Sequence, residues 1–474
     1  MEPAKRGDIL GLSGVALLLT AAAAVFVFAF APAPPLPRRV PDPANRRQRR
    51  EAARVDIAGT FQRFRAAPQS GSASWPGFRG PQGDNIVRQR VPLARSVPAN
   101  GFPQLWRREL GEGYAGPAVH DGRVYLLDYD EKTMGDSLRC FDLTSGRELW
   151  RRTYQIRIKR NHGRSRTVPA VDGRHVVTIG PKCHVMCVDA QSGAFRWGID
   201  LVRRYGTKVP LWYTGQCPLI DNGTAVLAPA GKNVLIMGVD LATGETVWST
   251  PNPGEHRMSH ASVVVMTFAG KRMYVYAAVG GITAVAADGP HTGRVMWQTT
   301  AWKHDIIAPS PVQSGPDRFF ITSGHGAGSA MFRVRRHDGR FQVEREYVID
   351  KSVFACEQQT PIYYRGRLFG IMPNDAGAAK QQLVSFDPAN RVVWRSGKER
   401  RFGLGPFILA DGRFYILDDR GHLTIAAASP ERYRELGHTR ILQGKDSWAP
   451  LAIVDGLLLA RDDRYLVCLD IRRR

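Results

Sequence analysis

The sequence predicts an all-β fold, an eight-bladed β-propeller of four-stranded antiparallel blades. Two recurring elements and one gap carry that prediction. The string Leu143-Thr-Ser-Gly-Arg-Glu-Leu-Trp150 returns as Ala190-Gln-Ser-Gly-Ala-Phe-Arg-Trp197, Leu241-Ala-Thr-Gly-Glu-Thr-Val-Trp248 and Pro290-His-Thr-Gly-Arg-Val-Met-Trp297. The Trp residues fall roughly 50 positions apart, longer than most helical repeats and room for about four short strands with their turns. Upstream of each Trp lies a turn dipeptide between two apolar runs, and eight such hairpins fill the chain from about Gly113 onward. The Gly…Trp element does not recur eight times, so one blade lacks its outer strand.

In chain order the hairpins are Val119-His-Asp-Gly-Arg-Val-Tyr-Leu-Leu127, Val171-Asp-Gly-Arg-His-Val-Val-Thr-Ile179, Leu219-Ile-Asp-Asn-Gly-Thr-Ala-Val-Leu227 and Phe268-Ala-Gly-Lys-Arg-Met-Tyr-Val-Tyr276. A looser copy at Gly315-Pro316-Asp317 follows, then Tyr364-Arg-Gly-Arg-Leu-Phe369, Leu409-Ala-Asp-Gly-Arg-Phe-Tyr-Ile-Leu417 and Val454-Asp-Gly-Leu-Leu-Leu-Ala460. Asp-Gly and Asn-Gly adopt the positive φ of a tight hairpin, and the β-branched flanks suit strands. The outer element fades along the chain. The fifth unit substitutes Asp338-Gly-Arg-Phe-Gln-Val343, the sixth keeps Trp394, the seventh reads Pro430-Glu-Arg-Tyr-Arg-Glu435, and the eighth stops after Leu466-Val-Cys-Leu-Asp470. Gln104-Leu-Trp-Arg-Arg-Glu-Leu110, just before the first blade, is an orphan Trp strand that supplies the missing one, closing the ring and covering its open edges.

Within a blade, Gly146, Gly193, Gly244 and Gly293 supply a backbone conformation that a residue with a Cβ resists. Each Trp docks its ring between neighbouring blades. Cys140, Cys187 and Cys468 hold equivalent strand positions and read as small buried hydrophobes; Cys183 and Cys187 read as structural strand residues, since no second pair completes a metal set.

The repeats resemble those of the pyrroloquinoline-quinone-like (PQQ-like) propeller family, which includes quinoprotein alcohol dehydrogenases and the propeller lipoprotein that helps assemble outer-membrane proteins. The resemblance runs from Trp75 to the C-terminus, and the lead-in Ser74-Trp-Pro-Gly-Phe-Arg-Gly-Pro-Gln-Gly-Asp-Asn85 is similar to that of membrane-anchored bacterial envelope members. It implies the fold more than the activity, because such rings host enzymes, scaffolds and ligand binders.

Ahead of the propeller, taken as residues 74–474, stand a segment 1–31 and a Pro- and Arg-rich linker 32–73 with a possible short helix around Glu51 to Arg65. Residues 9–31 carry no charge and are long enough to cross a bilayer core at about 1.5 Å per residue, as one transmembrane helix. A cleaved signal peptide ending at Ala29-Phe-Ala31 is the competing reading, opposed by the rigid Pro32 that follows. Arg38, Arg39, Arg46, Arg47, Arg49 and Arg50 outnumber Lys5 and Arg6, which alone would keep the ring in the cytosol. The mostly exported members that the chain resembles place it instead on the periplasmic side of the cytoplasmic membrane. The net charge of +23 is spread over solvated surface or serves a polyanion, and Arg46-Arg-Gln-Arg-Arg50 suits lipid head groups. No helix-turn-helix, zinc-finger or RNA-binding signature points to nucleic acid.

Chemistry is expected on the loops that lead from each outer strand to the next blade's innermost strand, because they converge on the channel. They carry Arg160, His162, Arg164, Lys208, Trp212, Gln216, His256, His260, His304 and Gln358 as ligand-binding candidates for a basic funnel, with Trp302 and Trp448 as further stacking rings. Glu357, Asp305 and Asp446 are the carboxylates within reach of a catalytic role. His256 and His260 have helical metal spacing but precede a strand, so no metal site is assigned. The dehydrogenases of the resembled family hold PQQ beneath an adjacent Cys-Cys pair, with calcium on carboxylate and amide ligands. This chain has neither that pair nor a Cys-x-x-Cys-His haem site. Two readings therefore stand: a tethered envelope module that binds an anionic ligand or protein partner, favoured here, and a PQQ-dependent oxidoreductase of alcohols or sugars.

Overall fold

The computed structural model describes residues 54–66, 69, 71, 73–88, 91–159, 164–389 and 391–473. The apolar stretch 9–31 and the Arg cluster at 46–50 lie outside them. Among the described residues no helix is long and apolar enough to cross a membrane.

Eight antiparallel sheets follow one another, each ordered from an innermost to an outermost strand. The first is Ala118–His120, Arg123–Asp130, Gly135–Asp142 and Glu148–Gln155. The eighth has Ala452–Val454, Leu457–Arg461 and Tyr465–Asp470 from the C-terminus, and its outer strand is Gln104–Glu109. That pairing sets Trp106 opposite Cys468, so the orphan Trp strand closes the ring as the sequence required. Third strands such as Gly281–Ala286 and Leu383–Asp387 are buried at every position. Both their faces pack on neighbouring blades, which is why they read as apolar runs. Outer strands such as Phe195–Asp200 bury only alternate residues, as expected of a sheet edge with one face half in water.

Four of the Trp rings lie across the turn glycine of the next blade. A Cβ on Gly146 would meet Trp106 at 2.5 Å, on Gly193 would meet Trp150 at 2.7 Å, on Gly244 would meet Trp197 at 2.5 Å, and on Gly293 would meet Trp248 at 2.6 Å. The same glycines have φ of 63°, 69°, 76° and 85°. They are thus fixed twice, by a left-handed backbone and by a ring that leaves no space for a side chain. The indole N–H of Trp106 donates to the Leu143 carbonyl and that of Trp197 to the Leu241 carbonyl, both at 2.8 Å. Opposite the Trp in the third strand stand Cys140, Cys187, Gly238, Ala284, Ser385 and Cys468. All are small, so the cysteines fill positions whose requirement is size, and all six cysteines of the chain are free and buried. Cys183 departs from the strand expectation: it sits in a bend at φ 65°, its Sγ 3.1 Å from the Thr214 hydroxyl.

The seam between last and first blades is sealed by Arg461, 0% exposed. Its guanidinium donates to the carbonyls of Gly111, Ala115 and Leu127 and lies 3.5 Å from Asp128, which also pairs with Arg139 at 2.8 Å. Burial lowers the Arg461 pKa against the pull of Asp128. A charge so far from water persists because carbonyls and a carboxylate replace its hydration.

The N-terminal segment does more than link. Instead of the short helix expected around Glu51 to Arg65, Thr60–Arg63 forms a fifth, outermost strand on the first blade. The chain then turns inward. Trp75 exchanges backbone hydrogen bonds with Val119 of the first blade's inner strand, and Val171 of the second donates to the Pro76 carbonyl. Arg79 donates to the carbonyls of Thr360 and Pro361 beside the sixth blade, and Ile86–Val87 runs parallel to Phe407–Ala410, the inner strand of the seventh. Burial lowers the Arg79 pKa to about 10. The segment therefore crosses the channel and ties four inner strands together.

These contacts separate two kinds of glycine. Gly412, at φ 70° with nothing near a built Cβ, should lose about 1 kcal/mol on substitution by Ala, the cost of the backbone alone. Gly193→Ala should lose about 2–4 kcal/mol, because the Trp150 and Phe61 rings, both 2.7 Å from a built Cβ, must also move. Comparing the two variants by thermal and urea unfolding checks this; equal losses would show that the rings do not constrain the turn.

Candidate functional site

A cavity of about 340 Å³ lies on the channel axis. Every loop from an outer strand to the next inner strand contributes to its wall: Tyr114, Arg166, Trp212, His260, Ile306, Glu357, Leu404 and Trp448 come from the eight in turn. Phe78, from the segment that crosses the channel, forms the wall at that end. His325 and Asn374 come from the turns between the second and third strands of the fifth and sixth blades, which open on the same face.

Trp212 and Tyr213 are consecutive bulky residues at φ 63° and 70°. Two such residues in the left-handed region are rare, and their cost is tolerated where a side chain must be aimed. The Tyr213 amide closes a turn on the Pro210 carbonyl at 3.0 Å, and its hydroxyl both accepts from the Lys159 amide and donates to the Lys159 carbonyl. So held, the Trp212 ring stacks on His260 at 6.3 Å and 18° and meets His325 at 5.5 Å. Across the cavity, Tyr114 and Trp448 are 4.8 Å apart, and the Trp448 indole donates to Asp419 at 2.9 Å.

Polar groups are few and their charge states differ. Burial lowers the Arg166 pKa to about 10, opposed by Tyr114 and Tyr213; it stays a cation at neutral pH. Burial, then Arg166 and His325, lower the His260 pKa to about 4, so that imidazole is neutral. Glu357, 13% exposed at its side chain, accepts from the Asn374 amide at 3.1 Å and lies 3.8 Å from His325. It packs on Gly324, where a Cβ would come within 2.5 Å.

Of the candidates read from sequence, Trp212, His260, Gln358, Glu357 and the stacking ring Trp448 line this cavity. The others do not. Arg164 is turned to Glu131 and stacks on Tyr129. Lys208 is exposed on the rim. Gln216 is fully buried, its amide spanning both Ala228 backbone groups and the Tyr276 hydroxyl, which makes it a brace for the third blade. His256 packs against Gly254, Gly280 and Gly281, and His304 packs edge-on to a buried Trp302, which is itself core. Asp305, 89% exposed, pairs with Arg257; Asp446 lies on the rim loop before Trp448 and outside the lining. Arg160 and His162 lie outside the described residues. The expected basic funnel is thus, among the described residues, a mostly aromatic and amide cup with Arg166 as its one Lys or Arg. Arg166 stood in a loop singled out for its charge, but Phe78, His325 and Asn374 carried no signal beyond lying on segments that fold over the channel.

Residues 134–354, just under half of the chain, match the family described as PQQ_2, outer membrane protein assembly factor BamB. No curated protein matches this sequence. Among solved structures, BamB from Moraxella catarrhalis is 14% identical, with 78% of this chain and 99% of that one covered at a TM-score of 0.54. A quinohemoprotein alcohol dehydrogenase from Comamonas testosteroni is 12% identical, covering 85% and 81% at a TM-score of 0.56. A europium-containing methanol dehydrogenase is 10% identical, covering 83% and 89% at a TM-score of 0.56. The chain folds as an eight-bladed β-propeller whose residues 134–354 match that family, and at such identities the likeness to these structures is one of fold.

The neutral His260 has a measurable consequence. Its folded pKa of about 4 lies below the ordinary value near 6.5, so between those pH values the unfolded chain binds more protons and stability falls as pH falls. Asp136, buried with its pKa raised to about 6, acts in the opposite sense but is common to parent and variant. His260→Gln should therefore lose less stability than the parent from pH 6.5 to 4, by on the order of 2 kcal/mol. Parallel pH-dependent unfolding curves for the two proteins would refute a neutral, desolvated His260.

Proposed function

We propose that this PQQ-like β-propeller is a binding module of the cell envelope, tethered through residues 9–31 with the ring on the periplasmic side, and that its central cavity holds a small flat ligand bearing one anionic group. The lining carries the reading: aromatic walls from Phe78, Tyr114, Trp212 and Trp448 surround a single guanidinium, Arg166, kept cationic in a largely desolvated place. Burial of that kind makes a charge-assisted hydrogen bond to a carboxylate stronger than in water. Gln358, Gln359 and Asn374 add neutral donors and acceptors that fix orientation, as in pockets that are mostly apolar with a few placed polar groups.

The quinone dehydrogenase reading fits these residues less well. PQQ is a tricarboxylate, and one arginine among the described lining leaves two carboxylates without a cation. Calcium needs several oxygen ligands. Glu357 is the one carboxylate of the lining, and among the described residues no three His, Cys, Asp or Glu come together to hold an ion. The six cysteines include no adjacent pair.

Titrating the full chain with 1-naphthoate and with the uncharged 1-naphthylmethanol, read by tryptophan fluorescence, tests the assignment. Arg166→Ala should weaken naphthoate roughly tenfold or more, the loss of one hydrogen bond to a charged group, and leave the alcohol unchanged. Incubation with PQQ and calcium should give no stoichiometric retention. Retention with dye reduction by an alcohol would replace the binding module with the dehydrogenase.

A further inference from the structure

The cavity's mouth is flanked, above the second and third blades, by a rim of unusual composition. A one-turn helix, Leu201–Tyr205, is capped by Asp200 and stopped by Gly206 at φ 72°. The chain from there to Gln216 contains no Asp or Glu. It exposes Val202, Arg203, Arg204, Lys208, Val209 and Leu211, the last 60% accessible. Three other segments join it. Tyr213 is bonded to Lys159, the Lys232 amide donates to the Tyr205 carbonyl, and Lys182 donates to the Arg157 carbonyl. These segments add Arg157, Lys159, Lys182 and Lys232 and again no carboxylate. Elsewhere on the ring arginines stand beside carboxylates, as Arg333 does with Glu346 and Asp317 and Arg400 with Glu435. Here cations surround exposed aliphatic side chains.

We propose that this rim docks on an anionic lipid surface, with Val209 and Leu211 entering the head-group region and the surrounding Lys and Arg meeting lipid phosphates. Aliphatic side chains within a field of Lys and Arg are the composition of segments that lie in a membrane interface, where apolar burial and attraction to acidic lipids add. Charge complementarity favours this occupant, and so does the chain ahead of the described residues, which carries a bilayer-length apolar stretch and Arg46-Arg-Gln-Arg-Arg50. An acidic soluble protein would be drawn by the same cations but gives no reason for Leu211 to stand in water.

The test places an environment-sensitive fluorophore on Leu211→Cys of the full chain, the six native cysteines being buried, with Val348→Cys on the fifth blade's outer strand as the control position. The protein is reconstituted in phosphatidylcholine vesicles with and without phosphatidylglycerol. Flotation reports the tether, and the fluorophore reports the rim. A chain that does not float on phosphatidylcholine refutes the tether of the proposed function, and the rim is then read on added vesicles.

With phosphatidylglycerol, emission at position 211 should shift to shorter wavelength and be quenched by brominated lipid, while position 348 stays unchanged. Each Lys or Arg near such a surface is worth about fivefold in partition. Arg203→Glu with Arg204→Glu and Lys208→Glu should thus lower docking about a hundredfold and abolish the shift. Should that variant unfold, about 1 M salt, with a Debye length near 3 Å, makes the same comparison on the parent. No shift with phosphatidylglycerol, a shift that survives both charge reversal and salt, or a response to polyglutamate in place of vesicles overturns the proposal.

Discussion

A row of eight blades ends in two bare faces, each with unpaired backbone at its outer edge and an apolar side meant for a neighbour. Pairing Gln104–Glu109 with Tyr465–Asp470 removes both exposures at once, and the rest of the molecule is built on that joint. It brings the N-terminal chain to the last blade, puts Trp106 on Gly146 as Trp150, Trp197 and Trp248 sit on the glycines of their next blades, and buries Arg461 at the interface. That guanidinium is costly to desolvate, yet its geometry leaves little alternative: the Leu127 carbonyl of the first blade and the Gly111 and Ala115 carbonyls of the loop leading into it converge on it, and removing the donor would orphan them. The joint is therefore held by polar groups that are satisfied only when the two ends meet, which makes closure a matter of register as well as of adhesion.

The N-terminal segment answers a second problem of the fold. Inner strands of a propeller end in backbone groups that face the channel, and in a wide ring these meet water or each other poorly. Here Trp75, Pro76, Arg79 and Ile86–Val87 satisfy groups in and beside the inner strands of four blades. What remains is a cavity limited at one end by Phe78 and open to the loops at the other, so the plug sets the depth of the site while the loops set its chemistry.

Repetition made the ring legible in the sequence: the Gly…Trp spacing, the eight hairpins and the missing strand each correspond to a physical contact. Elements outside the repeat were not legible. Thr60–Arg63 is exposed at all four positions and so carries no alternation to distinguish it from a helix, and the partners of Arg79 lie some 280 residues away. In the site, the connecting loops were the right place to search. Residue type alone, however, could not separate side chains that enter the cavity, as Trp212, His260, Gln358 and Glu357 do, from side chains that brace their own loop, as Gln216 does. Both kinds are polar or aromatic, and the difference lies in a backbone turn.

That turn also accounts for where the positive charge acts. Arg461, Arg79 and Arg139 are structural cations, spent on carbonyls and carboxylates inside the fold. Arg166 alone among the described lining brings charge to the cavity. Between them, the left-handed pair Trp212 and Tyr213 reverses the chain so that Trp212 faces His260 while the preceding Leu211 and Lys208 remain outside. Such backbone costs about 1–3 kcal/mol at each residue, and the bonds of Tyr213 to Lys159 oppose that cost. Cavity wall and exposed rim are thus two sides of one constrained turn, and a group that moves the one displaces the other.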